Sequence, residues 1–236
     1  MSEILSVSNL MKNYGAVQAL NGVNCGFERG KIYGLLGPNA SGKTTFLKIC
    51  AALIMIYKGQ VLIDGVKPGL ATKAKVAYLP VDDYFPDWMK VSDAINFFSD
   101  FLMDFDRPKA ENILTDMELE KSSSITNLSH GMKSRLKLSL VLSRRAHLYL
   151  LDEAFDGVDP VTREKIIDVM LNTFDHESTI ILATHHIDYV ERLLDEVKLL
   201  SRGKIIREIA AEEIRQSTGK SVGEYYLEVF RNDKAT

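Results

Sequence analysis

The chain has 236 residues, 46% hydrophobic and 26% charged, and its 29 basic and 32 acidic side chains leave a formal net charge of -3. This length suits one large domain or two small ones, and the charge gives no reason to expect nucleic acid. Cys25 and Cys50 lack metal-binding spacing, which disfavours a metal centre or a disulfide scaffold. The longest apolar run, residues 49–57, is about half of a membrane span, and no leader pattern opens the sequence, so we expect no segment that enters a bilayer.

Strands dominate the predicted elements of the first eighty residues. Residues 4–10 and 17–27 have strand composition, and a turn at 28–30 leads into a buried strand at 31–36. An apolar helix is expected at 44–53. Further strands are predicted at 59–65 and 76–80, with the pair Asp64-Gly65 as a turn signal.

The pattern becomes helical after residue 90 and then alternates. Apolar residues recur at roughly helical spacing over residues 91–101, and a second and a third helix are predicted at 109–117 and 129–145. A strand at 147–153 is followed by a helix at 160–174, a strand at 179–183, a helix at 187–194 and a strand at 197–201. This alternation predicts a parallel α/β sheet. Without repeats or long linkers, we expect one domain over residues 1–236, with a helical subdomain at about 85–145, a C-terminal extension at about 205–236 and a loose end at 231–236.

The stretch GPNASGKTT, residues 37–45, lies between a predicted strand and a predicted helix, which is the setting of a phosphate-binding loop. Gly37 and Gly42 would let backbone amides face an anion at the positive end of the helix dipole. Lys43 would reach the outer phosphates, Thr44 would place its hydroxyl on Mg²⁺, and Thr45 would support an inner phosphate. The alternative is a glycine-rich turn that fits the pattern by chance.

Two acids close the strand at residues 147–153. The Asp152 carboxylate should emerge beside the phosphate loop and hold the Mg²⁺ shell, and Glu153 can polarise a water for attack on the terminal phosphate. The alternative is that both acids simply open a solvated loop. Together with the upstream loop, they predict hydrolysis of a nucleotide.

Several motifs, in this order, resemble the nucleotide-binding subunit of ATP-binding cassette (ABC) transporters, and the resemblance covers nearly the whole chain. NYGAVQAL, residues 13–20, resembles the segment whose aromatic residue, here Tyr14, stacks on adenine; a tyrosine that packs a strand is the alternative. NLSHGMKSRLKLSL, residues 127–140, resembles the family signature that opens a helix, with Ser129 and Gly131 matching.

Two later motifs continue the resemblance. LLDEAFDGVDP, residues 150–160, resembles the strand with the Mg²⁺ acid followed by the loop in which Asp159 contacts a partner subunit. ILATHHID, residues 181–188, places His185 as the histidine that touches the terminal phosphate. The resemblance implies Glu153, His185 and Lys43 as catalytic residues, Thr44 and Asp152 as metal ligands, and these ATP contacts: Tyr14, Gly37, Asn39, Ala40, Ser41, Gly42, Lys43, Thr44, Thr45, Ser129, Gly131 and Asp159.

The resemblance implies an α/β fold, with a P-loop NTPase core built on a mainly parallel sheet, an N-terminal antiparallel β subdomain and an inserted α-helical subdomain. It implies ATP and Mg²⁺ as cofactors. In the family, two subunits sandwich two ATP molecules head to tail, and hydrolysis reopens the dimer. We therefore expect a polytopic transmembrane permease and a second nucleotide-binding subunit as partners, an identical copy being favoured, with no nucleic acid. The expected location is the cytoplasmic face of the cell membrane, with membrane contact only through the permease.

The end of the sequence resembles one branch of the family. VGEYYLEVFR, residues 222–231, looks like the amphipathic C-terminal helix of the members that export drugs, peptides or lipids. The main hypothesis is therefore an ATPase that powers export. The alternative is a soluble ABC-type ATPase in cofactor assembly, translation or DNA maintenance. A third hypothesis, an ATP-binding clamp that scarcely hydrolyses, is disfavoured by the presence of both Glu153 and His185.

Some positions depart from the family pattern. The glutamine that commonly follows YLP is absent, and Val81 stands there, followed by Asp82 and Asp83. One hypothesis is that one of these acids takes part of the glutamine's role at the Mg²⁺ site; the alternative is that both are solvated loop acids. Residues that differ from the common ones in the signature and the phosphate loop are His130, Met132 and Ala40.

An aromatic cluster follows the loop that lacks the glutamine. Tyr84, Phe85 and Trp88 lie within five residues, in the region where the family receives a short cytoplasmic helix of the membrane subunit. Aromatic side chains can supply much of the binding energy of such an interface. The alternative is that they pack the core of the helical region.

Overall fold

The computed structural model describes residues 3–233, the side chain of Asp233 excepted. Its strands are β1 (Glu3–Tyr14), β2 (Val17–Glu28), β3 (Ile32–Leu36), β4 (Lys58–Ile63), β5 (Val76–Leu79), β6 (Leu148–Asp152), β7 (Thr179–Thr184), β8 (Glu196–Ser201) and β9 (Lys204–Ala210). Its α-helices are α1 (Lys43–Cys50), α2 (Leu70–Lys73), α3 (Val91–Phe101), α4 (Arg107–Asp116), α5 (His130–Leu142), α6 (Pro160–Thr173), α7 (Ile187–Val190), α8 (Ala211–Thr218) and α9 (Val222–Asp233).

The central sheet has the strand order β5-β6-β7-β3-β8-β9, in which only β9 is antiparallel to its neighbour. The strands β3, β6 and β7 are buried at every residue, which explains their continuous apolar runs. Leu36 pairs with Thr184, and Asp152 pairs with Ala183, so these three strands end side by side. The predicted parallel α/β sheet is confirmed, and the segments that follow β3, β6 and β7 meet at its carboxyl edge.

A second, antiparallel sheet has the order β2-β1-β4, as expected for the N-terminal region. The predicted turn at Asp64-Gly65 closes a tight connection after β4, since Ile63 and Val66 exchange both backbone hydrogen bonds. Asp64 and Gly65 have φ of 52° and 74°, the positive values that a two-residue hairpin turn of this kind needs at both central positions.

Two buried apolar clusters cover the two faces of the central sheet. Along β6 and β7, Leu151 and Leu182 belong to the cluster that includes the inner faces of α3 to α6, whereas Leu150 and Ile181 belong to the cluster under α1 and the antiparallel sheet. Successive side chains of a strand point to opposite faces, so each buried strand contributes to both clusters. The sheet is therefore a rigid platform for the segments at its carboxyl edge.

The three predicted helices between β5 and β6 are present, with different ends. The helix α3 has the predicted bounds. The helix α4 begins two residues earlier than predicted, because the Asp106 carboxylate accepts a hydrogen bond from the Lys109 backbone N–H and caps it. The helix α5 ends at Leu142, three residues before the predicted end.

Other boundaries need correction. The helix α1 ends at Cys50 rather than at residue 53, and Ala52 has a left-handed φ of 56°. The predicted helix at 187–194 is the single turn α7 followed by a 3₁₀ turn, Glu191–Leu193. Strand β9 and helix α8 were not predicted. Residues 231–233 belong to α9 rather than to a loose end, and 234–236 lie outside the described residues. Nowhere in residues 3–233 is a helix both long and apolar enough to cross a membrane.

Candidate active site

The loop between β3 and α1 depends on two glycines. A side chain at Gly37 would collide with the Leu200 carbonyl oxygen. Gly42 has a φ of 113°, and a Cβ there would lie 2.5 Å from the Ala19 carbonyl oxygen. Only glycine fits this backbone path, which leads directly into the N-terminus of α1.

Lys43 begins α1, and its side chain folds back over the loop. Its ammonium donates hydrogen bonds to the carbonyl oxygens of Gly37 at 2.7 Å and Pro38 at 3.2 Å, and it lies 3.8 Å from the Glu153 carboxylate. Burial lowers the pKa of Lys43, and the nearby carboxylates of Glu153 and Asp152 oppose that shift. The loop thus presents a nearly buried cation beside the acids that end β6.

The Asp152 carboxylate is 1% exposed, and neither of its oxygens has a hydrogen-bond partner of ordinary geometry among the described residues. Burial raises its pKa to about 6, against the lowering effects of the Thr44 hydroxyl and Lys43. A buried carboxylate without a partner is costly unless an ion or a donor satisfies it. Asp152 and Thr44 supply the oxygen ligands that Mg²⁺ prefers, so the residues present fit this cation.

The described side chains do not form a metal site made of protein ligands alone. Within the described part of the chain, no group of three or more His, Cys, Asp or Glu side chains could hold a metal ion. Mg²⁺ commonly binds through one or two protein oxygens together with substrate phosphates and water. The pair Asp152 and Thr44 matches that mode.

Glu153 follows Asp152 in a strained backbone conformation, with a φ of 47°. Its carboxylate is fixed from two sides: the Thr184 hydroxyl donates a 2.9 Å hydrogen bond to Oε2, and the His185 Nδ1 atom lies 3.0 Å from Oε1. Both of these partners come from the end of β7, the strand next to β6. The register of two parallel strands therefore brings the acid and the histidine together.

The ring of His185 begins a row of ring contacts, here called the stack, in which His185 and His186 are tilted by 41°. Its centroid lies 3.8 Å from that of His186, which in turn lies 5.1 Å from the Tyr189 ring at an interplanar angle of 15°. The guanidinium carbon of Arg163, on α6, lies 3.3 Å from the Tyr189 ring centroid. The stack connects the His185 ring to α6, and it could not be predicted because nothing in the local sequence pattern links residue 163 to residue 189.

The signature residues and Asp159 lie at two other helix N-termini. Ser129 is exposed and caps α5, where its hydroxyl accepts a hydrogen bond from the Met132 N–H. Gly131 packs so closely that a Cβ there would lie 2.8 Å from the Gly157 carbonyl oxygen. Asp159 caps α6 in the same way as Ser129 caps α5. Among the described side chains, no hydrogen bond or ion pair joins these residues to Lys43 or Glu153.

Tyr14 lies at the end of β1 and is half exposed, with the Lys12 ammonium 4.8 Å from its ring centroid. Its role at an adenine ring stays a prediction, as do those of the loop residues Asn39, Ala40, Ser41 and Thr45. Ala40 has a φ of 62°, a conformation that favours the glycine usual there. The Ser41 hydroxyl is buried without a partner among the described residues.

The family model for the ABC transporter matches residues 20–156, which is more than half of the chain and includes the phosphate loop, the signature, Asp152 and Glu153. The chain belongs to the ABC transporter family. A relative from Ralstonia nicotianae, "Nod factor export ATP-binding protein I", is 30% identical in an alignment that covers 98% of this chain and 73% of that protein. The chain is thus the ATP-binding subunit of an ABC transporter and an ATPase.

Solved structures confirm the fold of this ABC ATPase. The structure of an ATP-binding subunit of an ABC transporter has a TM-score of 0.85 at 24% identity, and the match covers 96% of this chain and 99% of that one. A dimeric ATP-binding cassette in a post-hydrolysis state, bound to ADP and Pi, has a TM-score of 0.78 at 22% identity over 87% and 98% of the two chains.

The loop that lacks the glutamine of other ABC ATPases is bound to lysines. Asp82 is exposed and lies 3.6 Å from the Lys48 ammonium. Asp83 lies 3.2 Å from the ammonium of Lys137 and 3.5 Å from that of Lys133. The Asp83 carboxylate is therefore paired with two lysines of α5. That either Asp82 or Asp83 takes part of the glutamine's role at the Mg²⁺ site stays a hypothesis.

The aromatic cluster divides between core and surface. Phe85 packs against the larger core cluster, and Tyr84 lines an apolar groove next to it. Trp88 is 72% exposed and does not line the groove. The core-packing alternative therefore describes Phe85, while Tyr84 and Trp88 remain available to a partner.

Two polar residues of the site, Thr184 and Tyr78, were not predicted from the sequence. Thr184 holds Glu153, and its position immediately before His185 at the end of a buried strand was an available signal. Tyr78 has a buried hydroxyl without a hydrogen bond of ordinary geometry, and burial and the nearby Asp152 raise its pKa. Tyr78 lies on β5, the strand next to β6, and this position could have suggested its contact with Asp152.

Proposed function

We propose that this ABC ATPase hydrolyses Mg-ATP at the carboxyl edge of its parallel sheet and powers export through a separate membrane-spanning subunit. The observation that carries the proposal is that the Glu153 carboxylate lies within ion-pair distance of Lys43 and within hydrogen-bond distance of His185. Asp152, the residue before Glu153, has a buried carboxylate without a hydrogen bond of ordinary geometry among the described residues. A cation, a fixed carboxylate and an imidazole at the end of a phosphate loop are the groups that phosphoryl transfer to water requires.

The loop and Lys43 would bind the phosphates of ATP. Backbone amides at the start of α1 face the anion, and the Lys43 ammonium would exchange its contacts with Gly37 and Pro38 for phosphate oxygens. Thr44 and Asp152 would hold Mg²⁺, which when bound neutralises charge on the phosphate oxygens. Tyr14 would stack on the adenine.

Glu153 would position and polarise the attacking water. The water oxygen forms a bond to the terminal phosphorus, and the bond from that phosphorus to the ADP oxygen breaks, giving ADP and phosphate. Thr184 occupies Oε2 of Glu153, which leaves Oε1 facing His185 and Lys43 as the oxygen that can accept a hydrogen bond from water. His185 would contact the terminal phosphate and stabilise its charge.

The exposed helix N-termini support an ATP-dependent dimer. Ser129 and Gly131 open the thirteen-residue helix α5, whose positive end suits an anion, yet they are not bonded to the site of their own chain. A second copy arranged head to tail would place its ATP on this end and its own phosphate loop opposite. Asp159 would contact that copy. We favour an identical second subunit, and the dimeric cassette that resembles this fold supports the arrangement.

The apolar groove and its surroundings support a membrane-spanning partner. The groove lies between α1, β5 and α3 and includes Tyr84, Phe98 and Leu102. Large exposed apolar side chains lie in the same segments of the chain: Leu53, Met55, Ile56, Leu70, Trp88, Phe97, Phe101 and Met103. Such a surface marks a protein contact, and a short helix of a permease fits an apolar groove. The subunit would then lie on the cytoplasmic face of the membrane, and export is supported by the name of the Nod factor relative.

Affinity capture from gently solubilised cells tests the transporter proposal. We expect a polytopic membrane protein to be captured with the chain and to stimulate its ATP turnover, and this stimulation to disappear in a Glu153→Gln variant. Capture of only ribosomal, DNA-associated or cofactor-assembly proteins, with turnover unaffected by membrane proteins, would assign the ATPase to a different machine.

A further inference from the structure

The helix α5 carries a buried lysine, Lys137, to which the proposed reaction assigns no role. Lys137 is 3% exposed. Its ammonium donates a 2.7 Å hydrogen bond to the Val81 carbonyl oxygen and lies 3.4 Å from those of Pro80 and Asp82. It also lies 3.2 Å from the Asp83 carboxylate. One buried cation thus engages four consecutive residues of the loop after β5.

Little else attaches this loop to the protein through polar contacts. Among the described residues, backbone hydrogen bonds from 81–85 to other elements are absent, and Asp82 makes one longer ion pair with Lys48. Lys133, one turn before Lys137 on α5, reaches only Asp83, at 3.5 Å, and is more exposed. Lys137 is therefore the main polar link between the loop and α5.

The loop separates two functional surfaces. On one side, Pro80 and Val81 line a narrow cleft together with Lys137 and the two acids Asp152 and Glu153. On the other side, Pro80 and Tyr84 line the apolar groove. A movement of this loop would therefore change the wall of the nucleotide site and the wall of the groove together.

The contacts of Lys137 cannot be broken at low cost. Separating the loop from α5 would leave a buried ammonium and several carbonyl oxygens without partners, and each such group costs about 1–3 kcal/mol or more. The loop and α5 are thus expected to move together rather than to slide past each other. Because Ser129 caps the N-terminus of α5, this unit extends from the cleft wall to the face proposed for the second subunit.

We propose that Lys137 is a positioning residue that holds loop 80–83 against α5. The N-terminus of α5 can then contact the second subunit only when Pro80 and Val81 line the cleft beside Asp152 and Glu153. This inference rests on the proposed function, since it concerns closure of the ATP-dependent dimer. Val81 has no polar side chain at the position of the family's glutamine, and Lys137 binds this loop through its backbone instead.

The test compares Lys137→Met with Lys133→Met as the matched control. Methionine keeps the length and apolar stem of lysine but removes the donor. Three quantities would be measured: ATP affinity of the monomer with a fluorescent ATP analogue, ATP-dependent dimerisation in a Glu153→Gln background, and kcat and KM of the otherwise wild-type chain. We expect Lys137→Met to bind ATP as a monomer within about twofold of wild type. Its dimerisation should be weakened about tenfold and its kcat lowered about tenfold, with KM nearly unchanged. Lys133→Met should remain within about twofold of wild type in all three measurements.

Equal dimerisation and kcat in Lys137→Met and the wild type would overturn the inference. If the wild type itself neither dimerised with ATP nor hydrolysed it, the proposed function would fail instead. Should Lys137→Met not fold, Lys137→Gln, which keeps an N–H donor but no charge, and Asp83→Ala, which changes a more exposed group, give the same comparison. Either must then lower dimerisation by at least about threefold for the inference to stand, and full dimerisation in both would refute it.

Discussion

Replacing Asp152 with asparagine should stabilise the protein when neither Mg²⁺ nor nucleotide is present. Both carboxylate oxygens are buried without hydrogen-bond partners of ordinary geometry among the described residues, and burial raises the pKa from 3.8 to about 6. At neutral pH the folded chain therefore holds a desolvated negative charge. Asparagine has nearly the same shape and removes that charge.

The pKa shift sets the magnitude. A shift of about two units corresponds to about 3 kcal/mol at pH values well above 6. Because the pKa of Asp152 is higher in the folded state, the folded protein binds more protons between about pH 4 and about pH 6, and this group's contribution to stability is lost as the pH rises through that window. The stability of Asp152→Asn relative to wild type should therefore increase by about 2 kcal/mol between about pH 4.5 and about pH 7.5.

Urea unfolding across this pH range, in EDTA and without nucleotide, measures the difference. Asp82→Asn, which removes an exposed carboxylate, is the control for the loss of a surface charge. Adding Mg-ATP at the upper pH should stabilise the wild type and much less the Asp152→Asn variant. A difference for Asp152→Asn that stays constant within about 0.5 kcal/mol over the pH range would refute the assignment of Asp152 as a costly, unpaired carboxylate.

Two further variants test the loop and the histidine. Gly42→Ala places a Cβ 2.5 Å from the Ala19 carbonyl oxygen at a φ of 113°, so we expect it to lose at least about 2 kcal/mol of stability by urea unfolding and to lose ATP binding, and a stable variant that binds ATP would contradict this reading of the loop. Tyr189→Leu removes the ring between His186 and Arg163, so we expect kcat to fall about fivefold with little change in KM, whereas Tyr189→Phe should keep full turnover; equal rates in both would show that the stack does not position His185.

The sequence allowed a prediction of those parts of the candidate site whose residues lie close together in the chain. Gly37, Gly42 and Lys43 lie within seven residues, flanked by a buried strand and a helix. The position of the acids at the end of β6 followed from the apolar run before them. The alternation of strands and helices predicted the parallel sheet, and the register of that sheet brings Glu153 next to His185, a residue that the family resemblance had singled out.

Long-range contacts between polar groups could not be predicted in this way. Lys137 and Val81 are 56 residues apart, and Arg163 on α6 contacts the ring of Tyr189 on α7, with the strand β7 between the two helices in the sequence. The lysine also lies in a helix with a weak apolar period, so its burial was not evident. The strand β9 was missed because most of its residues are at least partly exposed and it pairs at the edge of the sheet.

The central claim, that Glu153 at the edge of the sheet drives hydrolysis of Mg-ATP, is tested most directly by the steady-state ATPase rate of the purified chain. Glu153→Gln should lower kcat by about 100-fold or more while the chain still binds ATP, and Glu213→Gln, on the exposed face of α8, should leave the rate unchanged. A Glu153→Gln variant that hydrolyses ATP at the wild-type rate would contradict the account.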